Sequence, residues 1–324
     1  MYYLRDVFAK RGMTTFGKGM GIFYALCAVL GTIGAASLFQ TNQVFKQIVN
    51  ITGGSEASVM ADKGWLFGLF MVFIVGLVIV GGIKSIARVT SKIVPIMGAV
   101  YLCAGLIVIA IFYQNIPAAF VTIFQSALTP EAGFGAVIGA LLMGVQRAAF
   151  SNEAGFGTAA IAHSAVKTND PVSQGLVGML GPFIDTVIIC LVTALVITVT
   201  GAYSTSDGME GIMLTSRAFE MAFPWMGYVL FAVVFLFAYS TLISWSYYGQ
   251  KSFAYLFGNS APVDWMYKLG FLGFIIVGAS SNLESVINFT DAAVFAMTIP
   301  NIIGLYLLAP EVRADLKTYW AKIK

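Results

Sequence analysis

One stretch of this sequence carries more polar chemistry than its surroundings explain. Residues 144–158 place Gln146, Arg147, Ser151, Asn152 and Glu153 in an otherwise apolar run, then Gly155 and Gly157, before apolar residues resume at Ala159. A glycine lowers helix stability by about 1 kcal/mol relative to alanine and lets the chain unwind. Two readings follow. In the first, the helix ends near residue 150 and a polar cytoplasmic loop follows. In the second, the helix is broken and its other half stays in the membrane. Broken helices expose main-chain groups: half-helix N-termini attract carboxylates, and freed carbonyls coordinate cations. That chemistry would hold a small zwitterion beside a hard cation such as Na⁺.

Other polar residues lie where charge or hydroxyls are costly. Asp185 is the one acid inside the apolar run 171–206. Intramembrane acids default to function or pairing, because a charge at the bilayer centre costs at least about 2.5–3.5 kcal/mol. Asp185 could be an ion ligand, a proton site, or a structural partner for Arg147 or for an amide of the break; the structural role weighs most. Ser240, Thr241 and Ser244 share one helix face by their spacing. Their oxygens suit Na⁺, whereas the competing reading is back-bonding to the carbonyl one turn earlier. Ile138 and Met143 read as packing residues. His163 is the single histidine and reads as an interfacial group. An intramembrane enzyme built on Ser151 and His163 has little support, since neither Gly-x-Ser-x-Gly nor His-Glu-x-x-His occurs.

The elements that position these residues follow from composition. Of 324 residues, 59% are hydrophobic and 10% charged, against roughly 45–50% and 25% in soluble domains. The chain is therefore an all-α integral membrane protein. A soluble enzyme and a disordered chain are excluded, and a net charge of +3 is too small for tracking nucleic-acid phosphates. Cys27, Cys103 and Cys190 each sit in an apolar run and read as small buried residues, neither disulfides nor metal ligands. The basic N-terminus is too polar for a signal peptide.

Charge-free stretches predict eight transmembrane helices, at about 19–40, 65–83, 94–113, 132–162, 174–200, 223–250, 266–281 and 289–309. The fourth would be about 46 Å long if fully helical, too long for a core of roughly 30 Å. With both termini cytoplasmic, 15 Lys and Arg fall inside and only Lys46, Lys63 and Arg217 outside, which fits the positive-inside bias. Trp65, Trp225, Trp265 and Trp320 fall near span ends as interfacial anchors. Residues 40–63 and 201–222 are the longest external connections, and an amphipathic tail, 310–324, follows Pro310.

The segments Gln146–Gly157, Ile161–Thr168, Asp170-Pro171, Gln174–Val177 and Phe183–Thr186 closely resemble the alanine or glycine:cation symporter family. Gly81–Ser85, Gln40–Asn42, Phe237–Thr241, Ser244–Gly249 and Ile299–Gly304 support this. The resemblance covers essentially the whole chain. It implies sodium-coupled uptake of a small amino acid, alanine or glycine, across the plasma membrane, with no cofactor beyond the coupling ion. It also implies a fold of two inverted five-helix repeats with a broken helix. Residues 19–113 would be the remainder of the first repeat and 132–309 the second, within one transporter domain. The family has about three further spans upstream, so the chain is expected to be a C-terminal portion. By resemblance, Ser151 and Asn152 lie near substrate, Phe150 walls a small pocket, backbone around Gly155 and Gly157 meets the carboxylate or ion, and Gln40 could reach substrate. Ser240, Thr241 and Ser244 would supply a sodium site, with Asp185, Glu153 and Arg147 in structural or coupling roles. Proton coupling through Asp185 or Glu153 is the alternative.

Overall fold

The computed structural model describes residues 1–128, 133–205, 209 and 211–323. Residue 132, the expected start of the fourth span, lies outside them, as do parts of the 201–222 connection and the last residue of the tail. The described residues form helices and no strands. In chain order the main ones are α1 (Tyr2–Ala9), α2 (Thr14–Ile51), α3 (Gly64–Ile79), α4 (Gly82–Ile111), α5 (Ile116–Leu128), α6 (Gly133–Asn152) and α7 (Thr158–His163). They continue as α8 (Pro171–Thr200), α9 (Ile212–Glu220), α10 (Met226–Phe257), α11 (Ala261–Ser280) and α12 (Leu283–Ile323).

Among the described residues, six helices are long and apolar enough to cross a membrane: α2, α4, α8, α10, α11 and α12. The other two predicted spans differ from expectation. The second is α3, an apolar helix of 16 residues, about 24 Å at ~1.5 Å per residue. It stops before Gly82, whose φ of +65° breaks the helix. The fourth divides into α6 and α7 around a non-helical turn. The outer faces are apolar: Phe73, Leu77, Leu141, Met179 and Leu269 are 63–68% exposed. An apolar belt on that scale suits lipid.

Helix ends follow local chemistry. Proline occupies the first turn of α8 and of α11, where a missing amide costs nothing. Left-handed Gly201 closes α8. Two expected boundaries move. α2 runs on to Ile51, so Gln40, Thr41 and Asn42 lie within it and do not end it. Its polar residues find protein partners there: the Asn42 amide donates to the Gly278 and Ser281 carbonyls at 3.2 and 2.7 Å, and Gln47 donates to the Ser216 hydroxyl at 2.8 Å. The expected tail after Pro310 is the end of the 41-residue α12. The turn after α1 meets it near Pro310: Lys10 pairs with Glu311 at 2.9 Å, and Arg11 donates to the Leu307 carbonyl, just before the proline, at 2.8 Å.

Two helices contain π-helical segments, Ile33–Leu38 in α2 and Phe183–Cys190 in α8. Such segments cluster at functional sites. The first lies against α11 so closely that a Cβ on Gly278 would stand 2.5 Å from the Ser37 carbonyl oxygen. The main core joins α2, α10, α11 and α12 around Tyr24, Leu242, Phe271 and Val294. A second core joins α4, α8, α9 and α10 around Tyr101, Val196, Phe219 and Leu230.

Candidate functional site

The break begins at Asn152, whose side-chain oxygen accepts from the Ala154 amide at 2.9 Å. This local turn competes with helix continuation. Residues 153–157 leave the helix. Glu153 has φ +57°, Gly155 +86° and Gly157 +83°, and Glu153 is the one non-glycine in the left-handed region among the described residues. The helix resumes at Thr158.

The turn is held inside the bundle. The Tyr24 hydroxyl of α2 donates to the Phe156 carbonyl at 2.9 Å, and the Asn301 amide of α12 donates to the Gly155 carbonyl at 2.8 Å. The Phe156 ring is 1% exposed and meets Phe295 edge-on. Residues 153–157 are therefore packed against the bundle and are not a free loop in water, which would not bury this ring or recruit side chains from two helices to its carbonyls. Gly157 has a steric reason as well, since a Cβ there would meet the Tyr24 hydroxyl at 2.7 Å and the Asn301 side-chain oxygen at 2.8 Å.

Two carboxylates flank the break. Glu153 accepts from the Trp245 indole N–H at 2.7 Å and from the Thr158 hydroxyl at 2.5 Å. Asp185, in the π segment of α8, accepts from the Ser151 hydroxyl at 2.6 Å. Asn152 donates to the neighbouring Thr186 hydroxyl at 2.9 Å. Thus α6 and α8 are joined by a short run of hydrogen bonds at the level of the break.

Beside it lies a cavity of about 330 Å³, lined by Gln40, Arg147, Phe150, Ser151, Glu153 and Thr241, with Ala35, Phe39 and Trp245 completing the wall. That is the lower end of small-ligand pockets, roughly 300–1,000 Å³. Phe150 meets Phe39 edge-on, with centroids 5.4 Å apart. A larger hollow of about 580 Å³ lies around Lys46, Asp62 and Met213, away from the break.

The structure gathers Gln40, Arg147, Phe150, Ser151, Glu153 and Thr241 around one space. Asn152, Gly155 and Gly157 shape the turn behind it. Ser240 does not line the cavity: its hydroxyl donates to the Phe237 carbonyl at 2.9 Å, the back-bonded alternative. Ser244 lies outside the lining too. Asp185 is not the partner of Arg147, which pairs with Asp291 of α12 and lies 5.6 Å from the Phe150 ring centre. Ser151 and His163 do not meet, because the Gln174 amide holds His163 Nδ1 at 2.5 Å while Ser151 is on Asp185. Ile138 and Met143 are exposed on the outer face of α6.

The sequence pattern of the sodium:alanine symporter family matches residues 1–324. The chain belongs to the sodium:alanine symporter family. It is 38% identical to the sodium/alanine symporter AgcS of Methanococcus maripaludis over 322 residues, 98% of this chain and 68% of that protein. It is 28% identical to the amino-acid carrier protein AlsT of Bacillus subtilis over 98% of this chain and 68% of that protein. It is 30% identical to the sodium/proton-dependent alanine carrier protein of Bacillus sp. strain PS3, over 79% of this chain and 62% of that protein. As a member of this family, the chain is a multi-pass membrane transport protein and not an enzyme.

Residue types alone had not pointed to four members of the site. Trp245 carries a signal in its position: it is the one tryptophan away from a span end. Asp291 is a second acid within an apolar run. Tyr24 carried no signal and Asn301 only its place in the Ile299–Gly304 segment, since the folded turn alone shows which carbonyls need donors.

Proposed function

We propose that this protein works by sodium-coupled symport of a small amino acid, alanine or glycine, using the cavity beside the Glu153–Gly157 break. One observation carries the reading: a hydrogen-bonded interruption between α6 and α7, held by α2 and α12, borders a small cavity that also receives Gln40 and Thr241 from other helices. Phe150 and Phe39 limit its width, which favours a short side chain. Ser151 and Gln40 offer polar contacts to the substrate, and the main chain near Gly155 and Gly157 supplies dipoles. Thr241 offers an oxygen to Na⁺. In this arrangement sodium and substrate each favour the closed form through contacts made only there, which is the coupling. The 15-to-3 split of basic residues favours cytoplasmic termini, and the two-repeat arrangement of residues 19–113 and 132–309 fits this function.

Proton coupling is the second reading. Glu153 and Asp185 both lie at the break, and a relative is named as a sodium/proton-dependent alanine carrier. The test is uptake of labelled alanine and glycine into proteoliposomes containing this protein. Uptake that follows an inward sodium gradient supports the first reading. Uptake that follows only a pH gradient moves the assignment to the second. No uptake under either gradient overturns both.

A further inference from the structure

The Arg147–Asp291 pair joins α6, just before the break, to α12. It is made through one nitrogen and one oxygen. Arg147 Nε and Asp291 Oδ1 are both buried, and neither has a hydrogen-bond partner among the described residues. Arg147 also lines the 330 Å³ cavity and lies over Phe150. An ion pair that served packing alone would be expected to use these groups, because buried polar atoms without partners are costly and arginine pairs with carboxylates through two parallel bonds when it can. Here one donor and one acceptor stay spare, the donor on a residue that lines the cavity and the acceptor on its ion-pair partner.

A zwitterion carries the matching complement: a carboxylate for guanidinium and an ammonium for carboxylate. We propose that Arg147 and Asp291 form the charge-reading element of the substrate site, opening to take a zwitterion between them. The substrate carboxylate would replace Asp291 on Arg147, and its ammonium would replace Arg147 on Asp291. Charge balances before and after, so entry leaves no unpaired ion. A ligand with only one charge would release one side chain and leave its hydrogen bonds unmade, which is unfavourable even though the Arg147 and Asp291 side chains are 38% and 25% exposed. The spare Nε and Oδ1 provide the additional bonds. This inference rests on the reading of the cavity as an amino-acid site, and it assigns Asp291 a role that composition and motif had not.

The test uses the full chain in detergent or proteoliposomes, with wild type, Arg147→Gln and Asp291→Asn. Alanine, lactate (no ammonium) and alaninamide (no carboxylate) compete against labelled alanine, and thermal unfolding is followed in parallel. The expected wild-type result is that alanine alone competes well. Asp291→Asn should weaken alanine by roughly tenfold, the scale for losing one hydrogen bond between charged groups, and abolish its advantage over lactate. Arg147→Gln should abolish its advantage over alaninamide. Variants that lose thermal stability yet keep wild-type discrimination overturn the inference, because the pair is then packing only. Equal weakening of all three ligands overturns it as well. A wild type that binds no small amino acid overturns the transport reading itself, a distinct failure.

Discussion

Asn301 links the broken helix to two other elements: its amide donates to the Gly155 carbonyl at 2.8 Å, while its side-chain oxygen accepts from Tyr3 of α1. It is 3% exposed, so water cannot stand in for it. Asn301→Ala should leave the Gly155 carbonyl without its donor and destabilise the protein by about 1–3 kcal/mol. Asn301→Asp, which keeps the acceptor and loses the donor, should behave like it. Thermal unfolding in detergent checks both, and a melting temperature equal to wild type would show that the turn holds itself.

The two glycines of the break should differ in sensitivity. Alanine at either pays the left-handed backbone penalty of roughly 1–2 kcal/mol. At Gly155 the new methyl would come no closer than 3.3 Å, to Thr298 Cγ2, with Ile302 Cδ1 at 3.8 Å, whereas at Gly157 it would collide with Tyr24 and Asn301. Gly157→Ala should therefore abolish uptake, and Gly155→Ala should reduce it partly. Parallel uptake and unfolding curves test this order, and the reverse order would contradict the geometry.

Sodium activation separates two adjacent hydroxyls. Thr241 faces the cavity, and Ser240 donates to the Phe237 carbonyl. Thr241→Val is expected to raise the sodium concentration for half-maximal uptake about tenfold, the loss of roughly 1.4 kcal/mol. Ser240→Ala should leave it within about twofold. Sodium titrations of alanine uptake decide, and equal effects would argue against a role for Thr241 at the ion.

Trp245 gives an optical handle on the break. Its indole donates to Glu153 at 2.7 Å, and a hydrogen bond to a charged group contributes about 1.5–3 kcal/mol. Trp245→Phe should weaken alanine binding and remove most of the tryptophan fluorescence change that alanine produces in wild type. An unaltered fluorescence response would place the moving tryptophan elsewhere.

Much of this site was legible in the sequence, for identifiable reasons. A polar cluster followed by two glycines in an apolar run can only be a loop or a break, and the excess length of that segment fits both. Arg147, Ser151 and Glu153 were visible because polar groups in apolar surroundings stand out. The span count was less legible. Hydropathy sees apolar length, not where a left-handed glycine such as Gly82 ends a helix, nor that α2 continues past Gln40 because Asn42 and Gln47 find partners on α11 and α9. The Arg147–Asp291 and Tyr24–Phe156 contacts join residues 144 and 132 positions apart. Only the way the helices cross brings such residues together, and no local pattern records it. Ser240 shows the opposite error: spacing put its hydroxyl on a promising face, but its own helix had already claimed it.

Pro300 sits within α12 between Asp291, which meets Arg147 ahead of the turn, and Asn301, which meets Gly155 inside it. A proline removes one rung of the helix ladder and provides a place to bend. The two contacts of α12 on the broken helix therefore lie on either side of a missing rung, where bending the rod costs least.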